Sequence, residues 1–218
     1  MPLNQTFPSV STAGYTHLSA PVCLWLTGLP ASGKTTLSKA LAKVFAANGL
    51  SVELLDGDRI RAALSPQLGY SRADRHANVV RVAGLAAEAF GYRDVVIVAL
   101  VSPYGDARAE ARGIVGACGT FVEVHVDASV ETCIGRDPKG LYAKALAGEI
   151  TDFTGVDGSY EVPHAPDVHV DTNRMSVDEA GTYILVKLSG VLTGDAQEIS
   201  HDARDTRSSW VPVASAGS

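Results

Sequence analysis

The residues best suited to chemistry form one glycine-rich segment, Gly28-Leu29-Pro30-Ala31-Ser32-Gly33-Lys34-Thr35. A loop with this spacing, between an apolar run and a helical pattern, points its backbone N–H groups at phosphate oxygens. The N-terminus of the following helix adds a favourable field. Lys34 would reach the β- and γ-phosphates of a nucleotide, and the hydroxyl of Thr35 would hold Mg²⁺. The segment predicts a phosphate-binding P-loop rather than a chance glycine-rich turn.

Two carboxylates follow the second apolar run, in the sequence Asp56-Gly57-Asp58. Because parallel sheets place ligands beyond the carboxyl ends of their strands, both side chains are expected near the bound phosphates. Asp58 could orient Mg²⁺ through water or accept a proton from an attacking hydroxyl. Asp-Gly is also common turn chemistry, but a turn alone does not explain its place at a strand end.

Arginine is concentrated between residues 59 and 112, where eight arginines, no lysine and five acidic residues give a formal charge of +3. The remainder of the chain has 10 basic and 19 acidic residues, a charge of -9. Arginine suits planar, two-toothed recognition of phosphate or sulfate. We expect Arg93 and Arg112 on solvated helix faces, whereas the others suggest a second anion facing the nucleotide.

Three further sites carry possible contacts. Ser102-Pro103-Tyr104 ends the third apolar run and could line a pocket for a phosphoryl acceptor, although a Ser-Pro turn explains it equally well. Arg136 and Lys139 offer possible nucleotide and acceptor contacts. Phe153 could stack on a base ring, or it could pack its segment onto the body of the protein.

Alternating strands and helices would position these residues. Strands are predicted at 22–26, 51–55, 94–101, 121–126 and 168–170, and helices at 34–48, 72–91, 106–115, 141–147 and 176–188. In the second helix a 3.6-residue period predicts a buried face of Val79, Val82, Ala83, Ala86 and Phe90. This order predicts an α/β protein with a three-layer P-loop NTPase fold, a central parallel sheet flanked by helices.

Residues 136–164 break the rhythm, with six glycines or prolines, several charges and one short helix. A segment this long between a strand-helix unit and the next strand is often a functional lid. We therefore predict a flexible N-terminal segment at 1–19, a P-loop domain at 20–188 with this lid, and a polar tail at 189–218.

Composition excludes several other classes of protein. The 218 residues are 46% hydrophobic and 19% charged, and no apolar run approaches the roughly 20 residues that span a membrane. The net charge of -6 argues against nucleic acid as a partner. Three scattered cysteines and six dispersed histidines show no disulfide or metal-ligand spacing, so neither type is assigned to a metal. The first 20 residues lack the features of a secretory signal, which favours a cytoplasmic location.

With these residues in place, the chain resembles the adenylylsulfate kinase (APS kinase) family from about Val22 to Leu188. The segments that carry the resemblance are GLPASGKTT (28–36), LDGDRIRAAL (55–64), LGYSRADRHANVVRV (68–82), SPY (102–104) and RDPKGLYAKALAGEITDFTGVDGSYE (136–161). A P-loop alone is shared by a large superfamily. The last segment is long and idiosyncratic, and it makes the resemblance specific.

The resemblance implies transfer of the ATP γ-phosphoryl, with Mg²⁺, to the 3′-hydroxyl of adenosine 5′-phosphosulfate (APS), giving 3′-phosphoadenylyl sulfate and ADP. The implied catalytic residues are Lys34, Asp58 and Ser102, and the implied metal ligands are Thr35 and Asp58. Residues 28–36, including Thr36, and Arg136 would hold ATP. The implied acceptor contacts are Asp56, Arg61, Tyr70, Arg75, Asn78, Ser102, Lys139 and Phe153.

The resemblance also bears on the lid, on Ser102 and on assembly. The lid around Lys139 would close over both nucleotides, and Phe153 would stack on the adenine of APS. The family's equivalent of Ser102 has been treated as a phosphorylated intermediate, but direct in-line transfer positioned by Lys34, Mg²⁺ and Asp58 is sufficient. Family resemblance further implies a homodimer.

The chain departs from the family pattern at several positions. Arg59, Tyr70, Ala77 and Leu146 stand where the family commonly has Asn, Phe, Glu and Arg, and Thr151-Asp152 replaces Lys-Gly before Phe153. Loss of positive charge from the lid, together with the added Asp152, should weaken anion capture. Either Arg59 compensates, or the acceptor differs. Compensation is the more economical interpretation, because the acceptor contacts Arg75 and Asn78 are retained.

Two alternatives stay open beside an APS kinase. One is a paralogous P-loop kinase that acts on a different small anionic nucleotide or metabolite in a specialised pathway. The other is a non-catalytic nucleotide-binding module in a larger sulfur-assimilation assembly, against which the intact Lys34, Thr35 and Asp58 argue.

Overall fold

The structure is a computed structural model that describes residues 18–64 and 68–193. Its strands are β1 (Val22–Thr27), β2 (Val52–Asp56), β3 (Val95–Ala99), β4 (Thr120–Asp127) and β5 (Val168–Asp171). The helices are α1 (Lys34–Ala47), α2 (Gly57–Leu64), α3 (Arg72–Ala89), α4 (Gly105–Gly116), α5 (Val130–Arg136), α6 (Leu141–Leu146) and α7 (Val177–Thr193).

The five strands form one parallel sheet in the order β2-β3-β1-β4-β5. Every residue of β1 and β3 is buried, as expected for central strands covered on both faces. Helices α1 and α7 pack their apolar residues against one face of the sheet, and α3 and α4 cover the other. The predicted three-layer fold is thereby confirmed, and the order of strands places the end of β1, where the P-loop begins, at the centre of the sheet.

Most predicted elements are present with small shifts at their ends. On α3 the predicted residues Val79, Val82, Ala83 and Ala86 are buried, whereas Phe90 lies just past the helix and is half-buried. The last helix continues to Thr193, five residues beyond its predicted end. Most of the predicted N-terminal segment and C-terminal tail lies outside the described residues.

Two short helices were not predicted. Helix α2 begins directly after β2, where the Asp56 carboxylate accepts hydrogen bonds from the backbone N–H groups of Asp58 and Arg59. The Asp-Gly pair therefore starts a helix here, not an ordinary turn. Helix α5 has Ser129 as its N-cap, with Oγ accepting from the N–H of Thr132. Seven or eight residues give too few turns for a helical period to be recognised in the sequence.

Within residues 18–64 and 68–193, no helix is both long enough and apolar enough to cross a membrane.

Candidate active site

One cavity of about 950 Å³ opens at the carboxyl ends of the strands, where parallel sheets bind ligands. It is lined by sixteen of the nineteen residues that the sequence assigned to catalysis or binding. The exceptions are Gly28, Leu29 and Ser32, which belong to the phosphate loop (28–35) but lie behind its inner surface. The strands thus bring the loop, the Asp56–Asp58 pair, the arginines and the lid to a single site.

The phosphate loop is held in a conformation that demands glycine. Gly28 has φ of 152°, and a Cβ placed on it would lie 2.3 Å from the carbonyl oxygen of Val126. Ala31 and Gly33 also have positive φ, at 60° and 106°. These turns bring the loop to the N-terminus of α1, where unpaired backbone N–H groups favour an anion.

Lys34 is the one lysine buried among the described residues, with 8% of its surface exposed. Its Nζ donates to the carbonyl oxygens of Gly28, at 2.9 Å, and Leu29, at 2.6 Å. Burial lowers the pKa of Lys34 from 10.5 to about 8, because the charged form loses solvation. The ammonium group is therefore held inside the loop that would surround the phosphates.

Oxygen ligands suited to Mg²⁺ meet beside this loop. The hydroxyl of Thr35 donates to Asp56 Oδ2 at 3.3 Å, and the Asp58 carboxylate is exposed on the first turn of α2. A hydroxyl and carboxylates are the hard ligands that Mg²⁺ prefers, and they leave room for water and phosphate oxygens. The residues present fit the ion.

Lys139 reaches from the lid (136–164) and forms an ion pair with Asp58. Both side chains are more than half exposed, at 58% and 73%. The contact raises the pKa of Lys139 through the hydrogen bond to Asp58. The predicted lid lysine and the predicted catalytic carboxylate are thus paired with each other at the cavity.

The acceptor side of the cavity carries two arginines around one aromatic ring. The guanidinium carbon of Arg61 lies 4.3 Å from the ring centroid of Tyr70, and that of Arg75 lies 5.4 Å from it. Arg61 donates to the carbonyl oxygens of Leu68 and Gly69, and Arg75 to those of Tyr70 and Asp152. Within residues 18–64 and 68–193 neither guanidinium forms an ion pair, and the groups that accept their hydrogen bonds are neutral carbonyls, which leaves the charge available to an anion.

Asn78 lies on α3 at the back of the same cavity and is 3% exposed. Its Oδ1 has no hydrogen-bond partner within the described part of the chain, and neither does Oγ1 of the buried, cavity-lining Thr154. A buried amide oxygen without a donor costs about 1–3 kcal/mol. A ligand that presents an N–H or O–H to Asn78 would remove that cost.

Ser102 is held in a network of buried hydroxyl groups. It has φ of 39° and is 1% exposed. Its Oγ accepts from Nε1 of Trp25 at 3.2 Å and donates to Oγ1 of Thr27 at 2.9 Å. Thr27 in turn donates to the carbonyl of Val101 and bonds to the hydroxyl of Tyr160. These contacts fix the Ser102 side chain just beyond the end of β3.

The lid is fastened to the phosphate loop by Tyr142 and Arg136. Tyr142 is 1% exposed and donates its hydroxyl to the carbonyl of Pro30 at 3.1 Å. Arg136 donates to the carbonyls of Ser32, at 3.3 Å, and Thr172, at 2.6 Å. Phe153 meets Tyr142 edge to face, with centroids 5.0 Å apart, and also lines the cavity. Phe153 can therefore pack the lid against Tyr142 and still present its ring to a base in the cavity.

Only Arg61 and Arg75 of the eight arginines line the cavity. Arg93 and Arg112 lie away from the cavity, as expected, and form ion pairs with Glu53 and with Asp167. They are not on solvated helix faces, because Arg93 follows α3 and Arg112 also pairs with the buried Glu123. Arg72 pairs with Asp106 and Glu161. Arg59 is exposed and does not line the cavity, so its predicted compensation for lost lid charge is not a direct contact.

Arg108 and Glu161 anchor the far end of the lid. The arginine-rich window predicted that Arg108 faces a second anion, which is wrong, and sequence reasoning gave Glu161 no role. Arg108 is 6% exposed, pairs with Glu123 at 2.8 Å, and donates to the carbonyls of Ser102 and Glu161 at 2.8 Å. The Glu161 carboxylate accepts from the N–H of Gly105 at the start of α4. No local motif marks the contacts of Glu161, because its partners Gly105 and Arg108 are more than fifty residues away in the sequence.

Fold and cavity together define a P-loop kinase, with a lysine-bearing phosphate loop on one wall and a cationic acceptor side on the other. The family model described as adenylylsulphate kinase matches residues 20–171, and the chain belongs to that family. This agreement confirms the family predicted from the sequence.

Known proteins similar to this chain carry the same description. An adenylyl-sulfate kinase of Myxococcus xanthus is 48% identical over 166 residues, which is 76% of this chain and 89% of the relative. One from Synechococcus sp. (strain JA-3-3Ab) is 46% identical over 77% of this chain and 93% of its own length. The structure of the Mycobacterium tuberculosis APS kinase CysC, in complex with AMPPNP and APS, aligns with a TM-score of 0.75 and 38% identity. That alignment covers 78% of this chain and 98% of the other.

Proposed function

We propose that this chain is an ATP-dependent adenylylsulfate kinase, which transfers the γ-phosphoryl of ATP to the 3′-hydroxyl of APS. The observation that carries the proposal is that one cavity joins the phosphate loop to a second cationic wall. Lys34 lies on the first wall, and Arg61 and Arg75 lie on the second. Two anionic nucleotides can therefore meet end to end, with the transferring phosphoryl between them.

The phosphate loop would bind the triphosphate through its backbone N–H groups and Lys34. Thr35, Asp56 and Asp58 would hold Mg²⁺, which when bound neutralises charge on the phosphate oxygens. Arg136, fixed by Ser32 and Thr172, would border the nucleotide at the entrance. These contacts position the γ-phosphoryl for attack and leave the acceptor to the opposite wall.

On the acceptor wall, Arg61 and Arg75 would bind the phosphosulfate, whose charges match their two guanidinium groups. Asn78 would accept a hydrogen bond from an N–H or O–H of APS, which satisfies its buried oxygen. Phe153 would place its ring against the adenine. Lys139 would exchange Asp58 for a nucleotide phosphate as the lid closes.

If Asp58 contacts Mg²⁺ through water, its carboxylate would then be available to orient the attacking 3′-hydroxyl or accept its proton, while the phosphoryl moves in line. Ser102 takes no covalent part in this proposal. Its hydroxyl is buried and donates to Thr27, which supports a structural role for it beyond the end of β3.

A coupled assay of ADP formation tests the proposal, with APS compared against adenosine 5′-phosphate, other nucleotides and no acceptor. APS is expected to give the highest rate, with one ADP formed for each 3′-phosphoadenylyl sulfate. If ATP binds but APS gives no rate above the control, the proposal fails. A rate with another anionic acceptor would then favour a paralogous kinase, and no rate with any acceptor would favour a binding module.

The remaining expectations are proposals of the same kind. A homodimer would show twice the chain mass by light scattering after size-exclusion chromatography, and a single chain mass would overturn it. A cytoplasmic location would be checked by cell fractionation. Binding of APS, and not of a nucleic acid, is expected because the chain has a net charge of -6, while Arg61 and Arg75 supply positive charge locally at the cavity.

A further inference from the structure

Two histidines and an aspartate, dispersed in the sequence, meet at the edge of the sheet. The β4–β5 register pairs His125 with His169, and Asp127 follows on the same face of β4 as His125 because side chains alternate along a strand. One ligand atom from each of the three residues lies within 4.8 Å of the others. None of the three lines the nucleotide cavity. The spacing along the chain gave no reason to assign a histidine to a metal, whereas the strand register brings two histidines and an aspartate together in space.

The three side chains differ in burial in a way that suits a binding site. His125 is 4% exposed and packs between Tyr160, with centroids 6.1 Å apart, and His169, at 5.2 Å. His169 and Asp127 are about half exposed, and Nε2 of His169 lies 3.1 Å from Oδ2 of Asp127. The site thus has one fixed ligand at its base and two adjustable ligands facing solvent.

The burial of His125 distinguishes this cluster from an ordinary surface ion pair. A bare surface pair of His169 with Asp127 would explain two of the residues, but it gives no use for an imidazole buried beside them.

We infer that His125, Asp127 and His169 form a site for one borderline divalent transition-metal ion, of which Zn²⁺ is the type, separate from the Mg²⁺–nucleotide site. Two imidazoles and one carboxylate are a common three-ligand set for such an ion, with water completing the coordination. Metal–ligand bonds of about 2.0–2.2 Å require the ligand atoms to approach to roughly 3–3.5 Å. Rotation of the exposed His169 and Asp127 side chains supplies that closure.

An ion at this site would tie the four-residue edge strand β5 to β4. The consequence reaches the phosphate loop, because Thr172, directly after β5, has its hydroxyl 2.9 Å from the carbonyl oxygens of both Ser32 and Asp127. The metal is therefore expected to stabilise the support behind the loop. It would take no part in phosphoryl transfer, since its ligands do not face the cavity.

The experiment titrates the full untagged, metal-stripped chain with Co²⁺, whose visible absorption reports coordination, and then displaces it with Zn²⁺. Excess Mg²⁺ is present throughout. We expect one equivalent of Co²⁺ in the unchanged chain, and at least a tenfold loss of affinity in His169→Ala and in His125→Phe. His169 is exposed, so His169→Ala keeps the test valid if His125→Phe fails to fold.

Matched controls locate the ion. His76→Ala removes a histidine that pairs with Glu110 on the α3–α4 surface, and Asp58→Asn removes a proposed Mg²⁺ ligand. Both variants are expected to keep the Co²⁺ signal. Zn²⁺ should also raise the melting temperature of the unchanged chain and not that of His169→Ala. Absence of a Co²⁺ signal, retention of it in His169→Ala, or its loss in Asp58→Asn would each overturn the inference.

Discussion

The two walls of the cavity are prepared for their ligands in different ways. On the phosphate wall, Gly28 is pressed against the backbone of β4 and Lys34 is already bonded to loop carbonyls. On the acceptor wall and the lid, the charged groups are bonded to other protein groups. They must give up or share these bonds when a ligand binds. Lys139 holds Asp58, and Arg75 holds the carbonyl of Asp152.

This difference suggests a division of labour. The phosphate loop needs little rearrangement to accept a triphosphate, so its binding energy is not reduced by ordering. The lid must exchange an ion pair for ligand contacts, and an exposed pair of this kind is worth only about 0–1 kcal/mol. We expect substitutions on the phosphate wall to affect folding and nucleotide binding, and those on the other wall to affect turnover and the acceptor.

The largest effect is expected from Asp58→Asn, which removes the proposed proton acceptor and a Mg²⁺ ligand. Turnover should fall by roughly 10²–10⁴-fold, the usual contribution of a positioned acid or base. Binding of the ATP analogue in the absence of Mg²⁺ should change little. Steady-state kinetics and equilibrium binding measure the two quantities. Glu88→Gln, which removes an exposed carboxylate on α3, is the control, and full activity in Asp58→Asn would remove Asp58 from the mechanism.

Arg75→Ala sharpens the contrast on the acceptor side. Loss of one charge-assisted contact, about 1.5–3 kcal/mol, should raise the KM for APS by roughly 10–100-fold. The KM for ATP should stay within about twofold if the walls act separately. Arg93→Ala removes an arginine paired with Glu53 far from the cavity and should leave both constants unchanged. Equal increases in the two KM values would contradict the division of labour.

Gly28→Ala tests the rigidity of the phosphate wall. The added methyl group would meet the carbonyl oxygen of Val126 at 2.3 Å and would be strained at φ of 152°. We expect a loss of about 1–3 kcal/mol in the free energy of unfolding, together with weaker nucleotide binding. Chemical denaturation provides the measurement. Gly113→Ala on α4 meets no atom within 4 Å and should be neutral or slightly stabilising; similar losses in both variants would show that the close contact is unimportant.

The smallest effect concerns pH. Because burial lowers the pKa of Lys34 to about 8, its ammonium form predominates below that pH, is half present at it and declines above it. Affinity for the ATP analogue should therefore be constant from about pH 6.5 to 7.5 and weaken several-fold towards pH 9.5. Titration calorimetry across this range measures the change. A lysine with the ordinary value of 10.5 would leave affinity almost flat, and that result would contradict the burial argument.

The sequence predicted best what is local in the chain. The P-loop, the alternation of strands and helices, and the clustering at strand ends follow from motifs and periodicity within a few residues. Helices α2 and α5 were not predicted, because each is too short to show a helical period of apolar residues.

Long-range features could not be predicted, since they depend on strand register and on side-chain packing. To predict that His125 pairs with His169, one must know the β4–β5 register. To predict that the Asn78 side-chain oxygen has no hydrogen-bond donor, one must know the packing of all the described residues around it. The arginine-rich window was a good guide to charge but a poor one to location, because Arg72 and Arg108, which were expected to face an anion, are paired with Asp106 and Glu123.

The central claim, phosphoryl transfer to the 3′-hydroxyl of APS, is tested most directly by comparing APS with its 3′-deoxy analogue in the presence of Mg·ATP. Formation of ADP and the position of the new phosphoryl group are followed by ³¹P NMR. The account predicts one ADP for each 3′-phosphorylated product with APS, and no ADP above the no-acceptor background with the analogue, although the analogue should compete with APS for binding. Turnover of the 3′-deoxy analogue at a rate comparable to that of APS would contradict the account.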